Sequence, residues 1–291
     1  MSRGVAPPLP FTPQLQRQLA DWLAEDLGRG DLSAAALAGC RGSAQWLARA
    51  DGVFCGGVLV APLFRQLDPD VEVRLLVADG ERVQCDQPLL ELQGSAAALV
   101  AGERTALNLA MRLSGIATAT AVLVAELDGT GVRLADTRKT TPGLRVLEKY
   151  AVRCGGGVNH RLGLDDAAML KENHLAWAGG VARAVAAVRA AAPWPARVIV
   201  EAETEAEALA AVRAGADGVL LDEFAPQALQ ALVPRLRALS DGVVLEASGV
   251  RPDQLAAYAA TGIDLISTSA PVTRSPWLDL SMRFRSPHPL A

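Results

Sequence analysis

The chain has 291 residues, 51% of them hydrophobic and 4% aromatic, and its 28 basic and 32 acidic residues give a net charge of −4. This length suits one large barrel or two ordinary domains, and the composition is typical of a globular α/β protein rather than a disordered chain. The acidic pI of about 5.5 predicts no nucleic-acid partner. The sequence shows no apolar run long enough to cross a bilayer and no signal-peptide core at the N-terminus, which predicts a cytoplasmic protein with no membrane partner. The four cysteines include no CxxC pair, so we expect no disulfide framework.

The first third of the chain predicts a small α+β unit. Apolar residues at helical spacing predict a helix over residues 14–27, which the glycines of the following Gly-Arg-Gly-Asp sequence would end. Strand patterns follow at residues 45–50, 71–77 and 89–92, and a helix is predicted from Gly56-Gly57 through Leu67. A sheet with helices on one face is the expected architecture.

A strong helix is predicted over residues 95–113. Its polar residues Arg104, Asn108 and Arg112 recur every four positions, so they form a stripe along one side. In a monomer this stripe would face water.

Positive charge is concentrated between residues 137 and 174. Seven Lys and Arg residues stand there against four acids, a net charge of +3, so the rest of the chain sums to −7. The same stretch holds His160, His174 and three consecutive glycines, which allow a close backbone approach. Arg offers two-pronged donors to carboxylate or phosphate and Lys a compact point charge, which suits a small ligand with several negative groups. A solvated basic loop is the alternative.

The amino-acid sequence of this stretch resembles the sequences of a known family. The sequences DTRKTTPGLR (residues 136–145), EKYAVRCGGGVNHRLGL (148–164) and LKENH (170–174) are similar to those of quinolinate phosphoribosyltransferases, also called carboxylating nicotinate-nucleotide pyrophosphorylases. The resemblance implies an enzyme that transfers phosphoribosyl from phosphoribosyl pyrophosphate to quinolinate with decarboxylation. Its products would be nicotinate mononucleotide, pyrophosphate and CO₂, in NAD biosynthesis.

The second half of the chain alternates strands and helices. Six short apolar runs each end at a polar residue, and helical patterns lie between most of them; the runs are at residues 132–135, 168–170, 198–200, 219–221, 243–245 and 263–266, and the helices at 180–191, 205–214, 226–239 and 252–260. Such repeats predict a parallel sheet whose strands all end at one rim, where barrel enzymes place their chemistry. Six strands do not make a full eight-stranded barrel, and the resemblance implies an incomplete or atypical α/β barrel.

Residues 277–285 alternate apolar and polar side chains, which predicts a half-buried strand after the barrel. We expect this strand to complete the N-terminal sheet. The predicted domains are therefore residues 1–114 together with 273–291, an α+β sandwich, and residues 115–272, the catalytic barrel.

The resemblance also implies roles for individual residues. Quinolinate would be held by Arg138, His160, Arg161 and Lys171, together with the partner subunit's Arg104 in a homodimer with a shared active site. The catalytic residues would be Lys139, Lys171, Glu201 and Asp222, of which the two acids would also bind Mg²⁺. These four would contact phosphoribosyl pyrophosphate along with residues that follow the last two strands, namely Ser248, Gly249, Thr268 and Ser269.

Alternative interpretations concern both residues and function. Glu201 and Asp222 could simply balance the lysines across the rim. Val250 and Ser269 stand where glycine is usual in the family, so their side chains are expected to narrow the loops that would hold the 5′-phosphate. The alternative functions are a molybdenum-transport-associated paralogue of the same fold, a Schiff-base lyase using Lys171 or Lys139, and an inactive anion-binding barrel.

Overall fold

A computed structural model describes residues 8–285 of the chain. In this range the helices are α1 (Pro13–Leu27), α2 (Gly57–Phe64), α3 (Ala96–Ala125), α4 (Arg145–Cys154), α5 (Glu172–Ala178), α6 (Val181–Ala191), α7 (Glu205–Arg213), α8 (Pro226–Leu239), α9 (Leu255–Ala259) and α10 (Ala270–Arg274), with 3₁₀ turns at Leu32–Leu37 and Pro252–Gln254. The strands are β1 (Arg41–Ala48), β2 (Gly52–Val53), β3 (Glu72–Leu75), β4 (Arg82–Val83), β5 (Pro88–Ser95), β6 (Arg133–Ala135), β7 (Ala168–Leu170), β8 (Val198–Ala202), β9 (Gly218–Asp222), β10 (Val244–Ser248), β11 (Leu265–Ser267) and β12 (Leu280–Arg285).

These elements form two compact units. Among the described residues, the first contains residues 8–121, the segment Thr141–Gly156 and residues 274–285; the second contains Val122–Thr140 and Gly157–Thr273. The predicted division placed residues 115–272 in one domain. In the structure α4 and the residues around it belong to the first unit, where the Tyr150 hydroxyl of α4 donates to Asp79 over 2.9 Å.

The first unit is built on a four-stranded antiparallel sheet with the order β12-β1-β5-β3. Strand β12 pairs with β1 from Ser43 opposite Arg285 to Ala48 opposite Leu280. The predicted return of the C-terminal strand to the N-terminal sheet is therefore confirmed. Large apolar side chains from the sheet and helices fill the core, and they include the fully buried residues Leu19, Trp46, Phe54, Leu63, Phe64, Leu92 and Leu99.

Helix α3 is longer than predicted and continues past residue 113 to Ala125. Gly115 in this extension packs closely against the chain: a Cβ there would come within 2.1 Å of the Pro276 carbonyl oxygen. By length and hydropathy α3 could cross a membrane, which corrects the expectation that no segment could. Half of its most apolar window is buried inside the protein, as in the core helices of water-soluble proteins, so the helix gives no membrane assignment.

The second unit is built on a six-stranded parallel sheet with the order β6-β11-β10-β9-β8-β7. In the described part of the chain the edge strands β6 and β7 do not pair, so the barrel is open, as predicted. The helix-facing side of the sheet is apolar, and its residues Val198, Val200, Val219, Leu221, Leu245, Ala247 and Ile266 are fully buried. Continuous apolar strands of this kind are expected in a parallel sheet covered by helices.

Candidate active site at the carboxyl ends of the six strands

Polar residues alternate with the apolar core residues at the carboxyl ends of the strands. Glu201 lies between Val200 and Ala202, which are both fully buried in the core, so its side chain points to the opposite face of the sheet. Asp222 and Ser248 face the same way for the same reason, and they are paired neighbours on β9 and β10. The face of the sheet turned away from the helices therefore carries the candidate site.

Lys171 and Glu201 form an ion pair on this face. Lys171 directly follows β7, and its Nζ donates to Glu201 Oε2 over 2.5 Å. The Lys171 side chain is 44% exposed and that of Glu201 10% exposed. The ammonium group can therefore meet a ligand from solvent while the carboxylate holds it in place.

Asp222 accepts a short hydrogen bond from the Ser248 hydroxyl. The residues that follow each of them have left-handed backbone conformations, with φ of 57° at Glu223 and 74° at Gly249. Such a conformation is unfavourable for a residue with a side chain, and strain of this kind is concentrated at functional sites. Both strand ends thus turn sharply at the predicted site.

A buried carboxylate fixes the segment that carries Asn159, His160 and Arg161. Asp136, which follows β6 and is 1% exposed, accepts from Asn159 Nδ2 and from the His160 backbone N–H, both over 2.7 Å. The His160 ring lies further along this network: its Nδ1 accepts the Arg161 backbone N–H over 2.7 Å, and its Nε2 lies 3.1 Å from Glu246 Oε2. Because Nδ1 accepts, the ring proton belongs on Nε2, which donates to Glu246.

Arg161 is a partly buried cation close to another cation. Its Nη1 donates to the Ala167 carbonyl oxygen over 3.0 Å. Burial and then the positive charge of Arg138 lower the pKa of the Arg161 guanidinium, while Asp166 and Glu201 act in the opposite direction. Two guanidinium groups that disfavour each other's charge are an arrangement that a bound anion would relieve.

The loops after β10 and β11 hold the predicted phosphate residues. The Thr268 backbone N–H donates to the Ala135 carbonyl oxygen, and its hydroxyl accepts from the Ala270 N–H over 3.2 Å. The Ser269 carbonyl oxygen accepts from the Val272 and Thr273 N–H groups of α10. Val250 is 7% exposed and packs in the core of the second unit. Its side chain therefore does not narrow the loop as the sequence had led us to expect.

Two expectations need correction, one about the glycines of the basic stretch and one about the polar stripe of α3. Gly155 does approach something closely, but it is a helix rather than a ligand: a Cβ there would come within 2.4 Å of the Ala117 carbonyl oxygen on α3. Arg112 does not face water, because its side chain is 16% exposed and binds the buried Glu148 over 2.8 Å. Arg104 is exposed on α3, in the first unit.

The sequence alone predicts no role for Asp136, Asn159 or Glu246. Asp136 and Glu246 were visible only as acids that end apolar strands, and nothing in the sequence indicated that they clamp the same segment. Metal ligands are sparse: within residues 8–285 no group of three or more His, Cys, Asp or Glu side chains could hold an ion.

The open parallel barrel with cations and paired carboxylates at its carboxyl rim defines an α/β enzyme that acts on small anionic substrates. Comparisons with known proteins make this specific. The profile of the N-terminal domain of quinolinate phosphoribosyl transferase matches residues 31–114, and that of its C-terminal domain matches residues 116–283. The chain belongs to the quinolinate phosphoribosyltransferase family.

Relatives and solved structures agree with this assignment. A probable nicotinate-nucleotide pyrophosphorylase [carboxylating] from Synechocystis is 45% identical over 91% of this chain and 90% of its own length. The human nicotinate-nucleotide pyrophosphorylase [carboxylating] is 39% identical over 90% of this chain and 89% of its own. The structure of the nicotinate-nucleotide pyrophosphorylase from Francisella tularensis superposes with a TM-score of 0.88 at 36% identity, covering 94% of this chain and 98% of that one.

Proposed function

We propose that the chain transfers the phosphoribosyl group of phosphoribosyl pyrophosphate to quinolinate and releases pyrophosphate, CO₂ and nicotinate mononucleotide, a step of NAD synthesis in the cytoplasm. Family membership supports this reaction. The structural observation that carries it is the half-buried Arg161, which donates to the Ala167 carbonyl oxygen and whose pKa is lowered by burial and then by the charge of Arg138, on the same rim as the Lys171–Glu201 pair. A dianionic pyridine fits such a pair of guanidinium groups.

The two carboxylates of quinolinate are assigned to the arginines. Each guanidinium offers two parallel N–H donors that match a carboxylate, and Arg138 and Arg161 together would bind the two adjacent carboxylates. His160 was predicted beside them. Because both of its ring nitrogens already have protein partners, it would have to break one contact to bind a carboxylate directly.

The transfer itself is assigned to Lys139, Lys171, Glu201 and Asp222. The bond from C1′ to pyrophosphate breaks as the pyridine nitrogen bonds to C1′, and the lysines would stabilise the negative charge of the departing pyrophosphate. The ring nitrogen is then positive, so it stabilises the electron pair left when the neighbouring carboxylate departs as CO₂. A proton then takes the place of that carboxylate on the ring.

Mg²⁺ is the proposed cofactor, and Glu201 and Asp222 are its proposed ligands. Two carboxylates on neighbouring strands, without a third ligand group among residues 8–285, fit an ion that is held largely by substrate phosphates and water. When bound, Mg²⁺ would neutralise charge on the pyrophosphate. Both acids could also accept hydrogen bonds from ribose hydroxyls.

The 5′-phosphate is assigned to the loops after β10 and β11. Thr268 offers a hydroxyl, and Gly249 and Ser269 offer backbone N–H groups. Ser248 was assigned here as well, and its hydroxyl would have to release Asp222 to donate to the phosphate. The burial of Val250 supports this assignment, since its side chain is taken up by the core.

A homodimer is proposed, in which the partner subunit's Arg104 completes the quinolinate site. The exposure of Arg104 on α3 is compatible with that role. Mixing inactive R104A with inactive K171A should restore part of the activity, because some mixed dimers then contain one intact site. No recovery after proven subunit exchange would place all site residues in one chain.

The reaction is tested with quinolinate labelled in its 2-carboxyl group, phosphoribosyl pyrophosphate and Mg²⁺. We expect labelled CO₂ and pyrophosphate in a one-to-one ratio. No CO₂ under any condition would contradict the proposal. Borohydride trapping tests the Schiff-base alternative, which is disfavoured because Lys171 would first have to leave its ion pair with Glu201.

A further inference from the structure

Glu246 is a buried carboxylate on the site face of the sheet. It lies in the middle of β10 and is 3% exposed. Its Oε2 contacts His160 Nε2, whereas its Oε1 is buried without a hydrogen-bond partner among residues 8–285. Burying a carboxylate that is only half satisfied is costly, and an apolar side chain of similar size would fill the same space without that cost. The contact with His160 therefore explains why a carboxylate, rather than an apolar side chain, occupies this buried position.

What Glu246 holds is the His160 ring. That ring connects β10 to the main chain of the predicted substrate-binding segment, because its Nδ1 accepts the Arg161 backbone N–H over 2.7 Å. The other side of the segment is fixed by Asp136, which binds the His160 N–H and Asn159. Two buried carboxylates thus clamp the three residues from Asn159 to Arg161.

We propose that Glu246 is a positioning residue for quinolinate: it orients the His160 ring, and through that ring it sets the main chain at Arg161 so that the guanidinium meets a substrate carboxylate. This inference rests on the proposed function. His160 then acts by placing Arg161 rather than by donating to the ligand, which agrees with the engagement of both ring nitrogens.

The contact itself is tested without turnover, by NMR of protein labelled with ¹⁵N-histidine. The chain has only three histidines, His160, His174 and His288, and H160Q identifies the signal of interest. We expect one downfield, slowly exchanging Nε2–H proton that is lost in E246L and retained in E246Q, whose amide oxygen can still accept. Absence of this signal from the wild-type protein would overturn the inference, even if quinolinate is turned over normally.

The consequence for binding is tested by steady-state kinetics with both substrates. E246L should raise the KM for quinolinate roughly tenfold, an effect of the size expected for one charged hydrogen bond, and leave the KM for phosphoribosyl pyrophosphate within about twofold. E246Q should lie much closer to wild type. An unchanged quinolinate KM in E246L, or an equal rise in both KM values, would overturn the positioning role. E246M replaces E246L if the latter does not fold.

A double mutant and a control variant separate positioning from general damage. If Glu246 acts through His160, the E246L/H160Q protein should bind quinolinate no more weakly than H160Q alone, and additive losses would contradict this. D264N is the matched control, because Asp264 also supports β10 by accepting from the Leu245 N–H and from Arg237, each over 2.7 Å. D264N should lower Tm without changing the KM of either substrate.

Discussion

Two buried glutamates, Glu148 in the first unit and Glu246 in the second, differ in how completely their carboxylate oxygens are hydrogen-bonded. The Glu148 side chain is fully buried and both its oxygens are satisfied: Oε1 accepts from Arg112 and from the Thr141 hydroxyl, and Oε2 accepts from the Thr141 N–H. The Glu246 side chain is nearly as buried, yet only one of its oxygens has a described partner. A buried carboxylate whose oxygens all have hydrogen-bond partners, as in Glu148, stabilises the fold. A buried carboxylate with an unsatisfied oxygen beside other charged groups, as in Glu246, is typical of a functional site.

The largest expected effect is on stability, and it comes from removing the buried Glu148 that binds Arg112 and Thr141. E148A removes the fully buried carboxylate that accepts from Arg112 and Thr141, so the free energy of unfolding should fall by about 3–5 kcal/mol, measured by urea denaturation. The control is E205A, which removes an ion pair with Arg235 whose two side chains are each 52% exposed. That change should cost less than about 1 kcal/mol. Equal losses of unfolding free energy in E148A and E205A would contradict the claim that the buried ion pair stabilises the fold more than the exposed one.

A slightly smaller effect is expected from the open site, and on catalysis rather than stability. K171A removes the cation next to Glu201 and should lower kcat by about 10²–10³-fold, or roughly 2.7–4 kcal/mol of transition-state stabilisation. Tm should fall by less than in E148A, because the Lys171–Glu201 pair is more exposed, with the Lys171 side chain 44% accessible. R189Q, which removes another exposed ion pair, should keep normal activity. A K171A enzyme with normal kcat would show that Lys171 has no part in the reaction.

The smallest effect is a pH dependence in the first unit. Burial raises the pKa of the Asp79 carboxyl above its ordinary value, against hydrogen bonds from Gly56, Gly57 and Tyr150 that lower it. The folded protein then binds this proton more tightly than the unfolded chain. Its contribution to stability is present below the unfolded pKa, about 3.9, and is lost as the pH rises through the folded pKa.

D79N cannot lose a proton, so it should become more stable relative to wild type as the pH rises across that window. The slope cannot exceed about 1.4 kcal/mol per pH unit. Urea denaturation at a series of pH values measures it, with D128N, an exposed acid, as the control. A constant difference between D79N and wild type across the window would argue against a raised pKa.

The sequence predicted the sheet better than the charged stretch. Apolar runs ending in polar residues located all six parallel strands, and α8 matched its predicted bounds of 226–239, because burial on both faces leaves a strong local signal. The basic residues between 137 and 174 were treated as one group. Arg145, Lys149 and Arg153 instead lie on α4 in the first unit, where Lys149 is 1% exposed.

Long-range pairing explains what the sequence could not predict. The contact between His160 and Glu246 joins residues 86 positions apart, and that between Arg112 and Glu148 joins residues 36 apart. Neither pair has a spacing rule that would identify it. Local periodicity therefore predicts the helices, the strands and the edge of the sheet where the strands end. Which charged residues stabilise the fold and which belong to the site depends on contacts between distant parts of the chain.

The most direct test of the account is calorimetric titration of quinolinate and of nicotinate, which lacks the second carboxylate, into wild-type, R138Q and R161Q proteins. The wild type should bind quinolinate far more tightly than nicotinate, and either substitution should remove most of that preference, on the order of 1.5–3 kcal/mol per charged hydrogen bond. Equal affinity for the two pyridines in the wild type, or a preference that survives both substitutions, would contradict the claim that these two guanidinium groups hold the two carboxylates.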